Sequence, residues 1–396
     1  MHMLKLDVVD MRTRIKKALC VLKAEKADAL LVWNSEGSGQ PATAWLSGFT
    51  GSWSILLIAA KKQILRSSTT RGAFFVKGGR ENFLITDGRY AEQSKREAKE
   101  YEILITSEAH PTCAILRRLV CRCKVTKVLF DGTVTPYSVV EDLRRELPEV
   151  VFSSQKRALQ ELRIVKGKEE LGILSEAAKI ACRSFKKLIP FIQVGITERE
   201  IARRLESLCL LEGADNLAFP IIVASGKNGA LSHAKATDKK IKRGELLTID
   251  FGVRYKGYVS DMTRTVAVGE ISPQLFRMYE AVRAAQERGC RKIKAGMTGK
   301  ELDTVCRNSL VRRGYGKYFT HGTGHGIGME VHELPVAAPG NFGRGVLPAG
   351  SVITCEPGVY IKGVGGVRIE DTLVLTKKGN ANLAARVAKK LLILRC

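Results

Sequence analysis

A chain of 396 residues, 45% hydrophobic and 27% charged, is long enough for two packed domains and too polar for a multispan membrane protein. With only 11 prolines, 37 glycines and ample apolar content, it falls outside the collagen-like, low-complexity and disordered classes. The formal charge of +25 raises the question of a polyanionic partner. Its surplus is spread over both halves without a basic arm, zinc-finger spacing or aromatic-interleaved RNA motif, so it reads as a basic solvated surface and nucleic acid is not an expected partner.

Ten cysteines lie far apart, and the first twenty residues lack an apolar signal core, which points to reduced thiols in a cytoplasmic protein. Cys121 and Cys123 have neither redox nor zinc spacing. No apolar run approaches the ~20 residues of a membrane span. In chain order, short apolar runs at 29–33, 54–59, 83–86, 103–106 and 128–131 are expected strands, and 90–99 and 139–147 expected helices, which makes an α/β domain. The basic, Ser/Thr/Gly-rich stretch 61–80 reads as a long hairpin or exposed loop. Charged residues dominate 155–170, and Leu171, Leu174, Ala177, Ala178 and Ala181 then recur at helical spacing. The expected domains are therefore 1–160 and 161–396. In the second, helices at 198–212, 273–295 and 299–313 alternate with β-rich, glycine-punctuated stretches at 246–268 and 351–375, an α+β pattern without a short-period repeat.

Two of those stretches carry paired acids. The midpoint of Asp250 and Asp261 falls within the turn between two apolar strands, so the expected hairpin sets the two carboxylates opposite one another. Such like charges persist if water screens them, if one holds a proton, or if a cation lies between them. Glu356 and Glu370 repeat the arrangement about Gly363. Four acids and one histidine make an oxygen-rich set suited to hard or borderline divalent ions, and five ligands exceed what one ion needs, so two bridged ions are expected. Three of the chain's six histidines, His321, His325 and His332, crowd into one Gly-rich segment, and His233 stands in a polar loop ahead of the first hairpin. Each acid alone would pass for a turn or surface residue; their joint occurrence in two matched hairpins around a Gly/His segment is what points to a site.

In this order the motifs resemble the pita-bread metallopeptidases, the family of Xaa-Pro aminopeptidases, Xaa-Pro dipeptidases and methionyl aminopeptidases, over nearly the whole chain. Thr248-Ile249-Asp250-Phe251-Gly252, Ser260-Asp261-Met262-Thr263-Arg264-Thr265, His321-Gly322-Thr323-Gly324-His325-Gly326, Cys355-Glu356-Pro357-Gly358 and Val367-Arg368-Ile369-Glu370-Asp371 are similar to its five ligand motifs. Gly48-Phe49-Thr50-Gly51-Ser52 and Thr86-Asp87-Gly88-Arg89-Tyr90 resemble the creatinase-like N-terminal domain of the proline-directed members.

The resemblance implies an α/β N-terminal domain followed by an α+β pita-bread domain whose antiparallel hairpins carry the metal ligands. It implies two divalent ions, manganese first and cobalt or zinc as alternatives, on Asp250, Asp261, His325, Glu356 and Glu370, with Asp261 and Glu370 bridging. It further implies Glu356 as proton acceptor from the attacking water, His233 and His332 as catalytic histidines, and His321, Tyr360 and Arg368 at the substrate pocket. The activity implied first is that of an Xaa-Pro aminopeptidase using metal-activated hydroxide on proline-containing peptides, in a homodimer. An Xaa-Pro dipeptidase is its nearest rival, and a non-catalytic peptide- or nucleic-acid-binding module a remote one. Ser232 and Ala236 stand where relatives often have proline, and the stretch 61–83 is longer than the family's hairpin, which touches substrate preference rather than the metal set.

Overall fold

In the first unit, near-continuous apolar runs pair into one mixed sheet. Its strands lie in the order Glu102–Ile105, Asn82–Thr86, Ser54–Ala59, Ala29–Asn34, Lys127–Phe130 and Val151–Ser154. The computed structural model describes residues 11–38, 40–60 and 81–394, and its contacts divide the chain into Met1–Leu162 and Arg163–Cys396. The five expected strands are present within a residue at each end. Helices Met11–Ala24, Pro41–Ser47 and Thr112–Arg122 and the strand Val151–Ser154 had not been expected. The first of these hides its amphipathic stripe because Arg14 lies on the buried face, 5.0 Å over the Trp45 ring with Nη1 donating to the Trp45 carbonyl. The stretch expected as a long hairpin, 61–80, lies outside the described residues.

The second unit contains one helix-pair-and-hairpin pattern twice. Helices Lys168–Leu188 and Glu198–Leu211 precede the hairpin of Glu245–Phe251 with Met262–Val268; helices Pro273–Lys292 and Gly299–Val311 precede the pairing of Val352–Cys355 with Asp371–Leu375. The copies share a Gly-x-Thr-x-x-Glu seam, in which Thr197 with Glu200 and Thr298 with Glu301 form matching capping boxes. Their backbone clips match as well. Gly195 N–H donates to Ile241 O and Gly296 N–H to Leu347 O, both at 2.9 Å. Ile241 to Asp250 and Leu347 to Glu356 are thus equivalent stretches, a long-period duplication in addition to the absence of any short one.

Helical spacing buries Leu174, Ala177, Ala181, Phe185 and Leu188 against the first hairpin, and Phe185 stacks on Phe251, the residue beside Asp250, at 6.5 Å between centroids. Met278, Val282 and Ala285 of the third helix share a core with Val359 and Val367. Each buried Leu, Phe, Met or Val side chain among them contributes about 2 kcal/mol and each alanine less, so the acid-bearing strands are held from behind by apolar packing.

The first hairpin differs from expectation in register. Thr263, not Asp261, is the direct partner of Asp250. The reason is the turn: Lys256 and Gly257 both have positive φ, 48° and 79°, and make a two-residue primed turn between Tyr255 and Tyr258, shifting the centre from the expected position. A two-residue offset returns a side chain to the same face, so Asp261 is a diagonal neighbour of Asp250. The expected strand across 258–268 is broken at Ser260 and Asp261. In the second hairpin the register is centred on Gly363: Gly358 pairs with Arg368 and Cys355 with Asp371, which sets Glu356 level with Glu370. No helix of the described residues is long and apolar enough to cross a membrane.

The duplicated caps give a stability test. Thr197→Ala and Thr298→Ala are each expected to cost about 1 kcal/mol, and the double variant about 2 kcal/mol because the caps share no partner, read as shifts in the urea midpoint of the second unit.

Candidate metal centre

The two hairpins are stitched edge to edge. Glu370 N–H donates to Thr263 O at 3.1 Å, Thr265 Oγ1 donates to Arg368 O at 2.9 Å, and Arg264, buried in an ion pair with Asp371 at 2.8 Å, also donates to Glu370 O. This brings the acids of both copies to one place. Asp261, His325 and Glu370 each offer a ligand atom, and the three atoms lie within 4.8 Å of one another. His325 comes from the short strand Gly324–Gly326, where Thr354 Oγ1 accepts from its backbone N–H at 3.0 Å and itself donates to Glu356 Oε1 at 3.1 Å. Glu356 Oε1 lies 3.1 Å from His325 Nε2.

These groups fit a cation. One oxygen each of Asp250, Asp261 and Glu370 is buried without a hydrogen-bond partner, a costly state for a carboxylate unless something positive meets it. His325 Nδ1 lies 3.2 Å from Gly326 O, so an Nδ1 proton would be held there, leaving the Nε2 lone pair toward the acids in the manner of a metal-ligating imidazole. Four carboxylates and one imidazole suit a hard or borderline divalent ion.

Without such a cation the charges distort one another. Burial, then repulsion from Asp250, raises the Asp261 carboxyl well above its ordinary range; burial, then Asp261, does the same to Glu370. Burial alone would lower His325, but the Glu356 carboxylate and Asp261 outweigh it and raise the imidazole to about 9. Burial opposes ionisation of Glu356 too, yet its bond to His325 brings it down to about 2.

A cavity of about 860 Å³ opens over this cluster, and its wall includes every residue named from the sequence except Tyr360. His332 stands 4.2 Å from His325 between ring centroids, and its pKa is lowered by desolvation and then by the charge on His325. His233 is exposed on a loop of the cavity wall, and the segment just before it packs so closely on the second hairpin that a Cβ on Gly366 would lie 1.9 Å from Gly229 O. Tyr360 is behind the wall, its hydroxyl 2.9 Å from His321 Nε2 and accepting from Arg368 Nη1 at 2.8 Å. Arg368 in turn holds Asp250 Oδ2 at 2.5 Å. Asp250 is thereby oriented through a chain from Gly322 O, His321 and Tyr360 to Arg368.

Sequence reasoning did not single out Thr263, which donates to Glu370 Oε2 at 2.7 Å, or Thr354. The duplication would have exposed Thr354, which corresponds to Thr248, two residues before each copy's acid.

Metallopeptidase family M24 matches residues 172–377, and the creatinase/prolidase N-terminal domain matches residues 14–165. An uncharacterized peptidase of Bacillus subtilis strain 168 is 42% identical over 359 residues, 88% of this chain and 92% of the relative. Among solved structures, an Xaa-Pro dipeptidase from Bacillus anthracis is similar with a TM-score of 0.87 at 36% identity, covering 97% of this chain and 100% of that one. An X-Pro aminopeptidase from Thermotoga maritima MSB8 has a TM-score of 0.81 at 34% identity, covering 94% and 99%.

The raised groups give the pH dependence a sign. Asp261, Glu370 and His325 bind protons more tightly folded than unfolded, so in chelated protein their contribution is complete below the unfolded values and is lost as pH rises through the folded ones. Glu356, lowered, contributes fully once pH exceeds its unfolded value. Since bound cations displace those protons, the melting-temperature gain on adding metal to chelated protein is expected to grow between about pH 5 and about pH 8. Scanning calorimetry showing the same gain at both pH values would contradict this account.

Proposed function

Because the chain belongs to metallopeptidase family M24 and carries a creatinase/prolidase N-terminal domain, we propose that it is an Xaa-Pro dipeptidase holding two divalent ions, manganese first. The observation that carries the hydrolytic reading is the convergence of Asp261, His325 and Glu370 within 4.8 Å, with partnerless buried oxygens on Asp250, Asp261 and Glu370. For the substrate, the sequence alone put an aminopeptidase first. The greater similarity to the Bacillus anthracis dipeptidase than to the Thermotoga maritima aminopeptidase favours the dipeptide-cleaving alternative.

Asp250, Asp261, His325, Glu356 and Glu370 would hold the ions. Bound there, the ions would supply Lewis acidity that polarises the scissile carbonyl and acidifies water. The protein's own groups do the remainder. Glu356, ionised at neutral pH, accepts the proton of the attacking water on a carboxylate oxygen. His332, kept neutral, presents an N–H toward the oxygen that becomes negative in the tetrahedral intermediate. His233, exposed in the cavity wall, relays to the leaving prolyl nitrogen, which as a tertiary amide has none of its own, the equivalent of the proton that Glu356 takes from the water, so that both side chains end as they began. The apolar surfaces of Phe219, Ile221 and Val336 receive the pyrrolidine ring.

Two measurements test this reading. With the manganese-loaded protein, kcat/KM for Ala-Pro is expected to exceed that for Ala-Pro-Ala at least about tenfold; equal cleavage of both assigns the aminopeptidase activity instead. His332→Phe is expected to lower kcat about 100-fold or more with metal content unchanged, by steady-state kinetics and elemental analysis.

A further inference from the structure

We propose that Lys235 recognises the free carboxylate of the substrate's C-terminal residue, and that this recognition confines cleavage to two-residue peptides. The inference rests on the dipeptidase reading and supplies a cation for the far end of that substrate. The cavity wall carries two full cations, Arg368 and Lys235. Arg368 is 4% exposed and committed: Nη2 to Asp250, Nη1 to Tyr360 and the Ser232 carbonyl, Nε to Thr263. Engaging a ligand would break a buried ion pair, which is costly. Lys235 is exposed, and among the described residues its three donors have no hydrogen-bond or ion-pair partner.

Its backbone is nonetheless held in place. The run 232–236 lines the cavity and is pinned at both ends by buried charges. Arg368 Nη1 donates to Ser232 O at 3.0 Å, and Glu198, fully buried, accepts from Thr237 N–H at 3.1 Å and from Thr237 Oγ1 at 2.6 Å. The ammonium thus swings on an apolar stem from an anchored loop two residues past His233. The neighbouring side chains, Ala234 and Ala236, offer no donor, and Phe219, Pro220 and Val336, which also line the cavity, are apolar. Four acids line the cavity, so a carboxylate of the substrate is repelled by them and is steered to Lys235, the one uncommitted lysine or arginine of the wall among the described residues. A longer peptide presents an amide at that position and forfeits the ion pair.

The experiment compares Ala-Pro with Ala-Pro amide, using manganese-loaded wild type, Lys235→Met and Lys235→Arg. In wild type kcat/KM favours the free acid. In Lys235→Met that preference is expected to fall about tenfold, through a higher KM for Ala-Pro rather than a lower kcat, and in Lys235→Arg to return. A Lys235→Met enzyme with the wild-type preference and KM overturns the role of Lys235 while leaving the dipeptidase reading intact. Wild type that cleaves Ala-Pro-Ala as readily as Ala-Pro overturns the dipeptidase reading and this role with it.

Discussion

Asp261 and Glu370 are buried to 6% and 2% exposure, each with an oxygen that no protein donor reaches, and their charges repel one another and those of Asp250 and Glu356. Left to itself such a cluster would drive its strands apart or take up protons. The surrounding structure resists separation. Arg264 ties the first hairpin to Glu370 O and Asp371, Lys389 adds a second cation to Asp371 at 2.6 Å, and the helix cores press on both hairpins from behind. Stability stored in apolar packing thus offsets an electrostatic strain concentrated where a cation would relieve it.

The duplication explains how one place collects so many acids. Each copy has an acid at the end region of a strand, Asp250 next to last in one and Glu356 just past the end in the other, after the same Gly-x-x-x-Thr-x run. Joining the copies along Thr263, Thr265, Arg368 and Glu370 brings both ends together, and the Gly/His segment between them inserts His325. Ordered side chains then hold three of the acids: Thr354 bonds Glu356, Thr263 bonds Glu370 and Arg368 bonds Asp250. Positioning of this kind fixes the carboxylates where the fold has gathered them.

Much of this was legible along the chain. Apolar runs marked five of the six strands of the first sheet, and the i, i+3, i+4 recurrence of Leu171, Leu174, Ala177, Ala178 and Ala181 marked the helix that opens the second unit. Helix Met11–Ala24 was hidden because a buried arginine over Trp45 breaks the apolar stripe. Tyr360, read as a pocket residue, stands one layer back, because its hydroxyl is spent on His321 and Arg368. The long-period duplication could have been read from Gly-x-Thr-x-x-Glu, but the copies diverge everywhere that packing, rather than backbone clips, sets the residue.

From the sequence alone came the chemical inventory, the strand and helix periodicities, and the symmetry of Glu356 and Glu370 about Gly363, because residue types and local spacing are properties of a linear chain. Tertiary structure decided that Thr263 faces Asp250, since a primed turn at Lys256-Gly257 sets the register to match strand twist. It also decided which acids lose their water, which hydroxyls aim them, and that Arg368 is spent while Lys235 has no partner among the described residues. Those outcomes depend on contacts between residues more than a hundred positions apart, such as Arg368 with Asp250, whose energies have no trace in local periodicity.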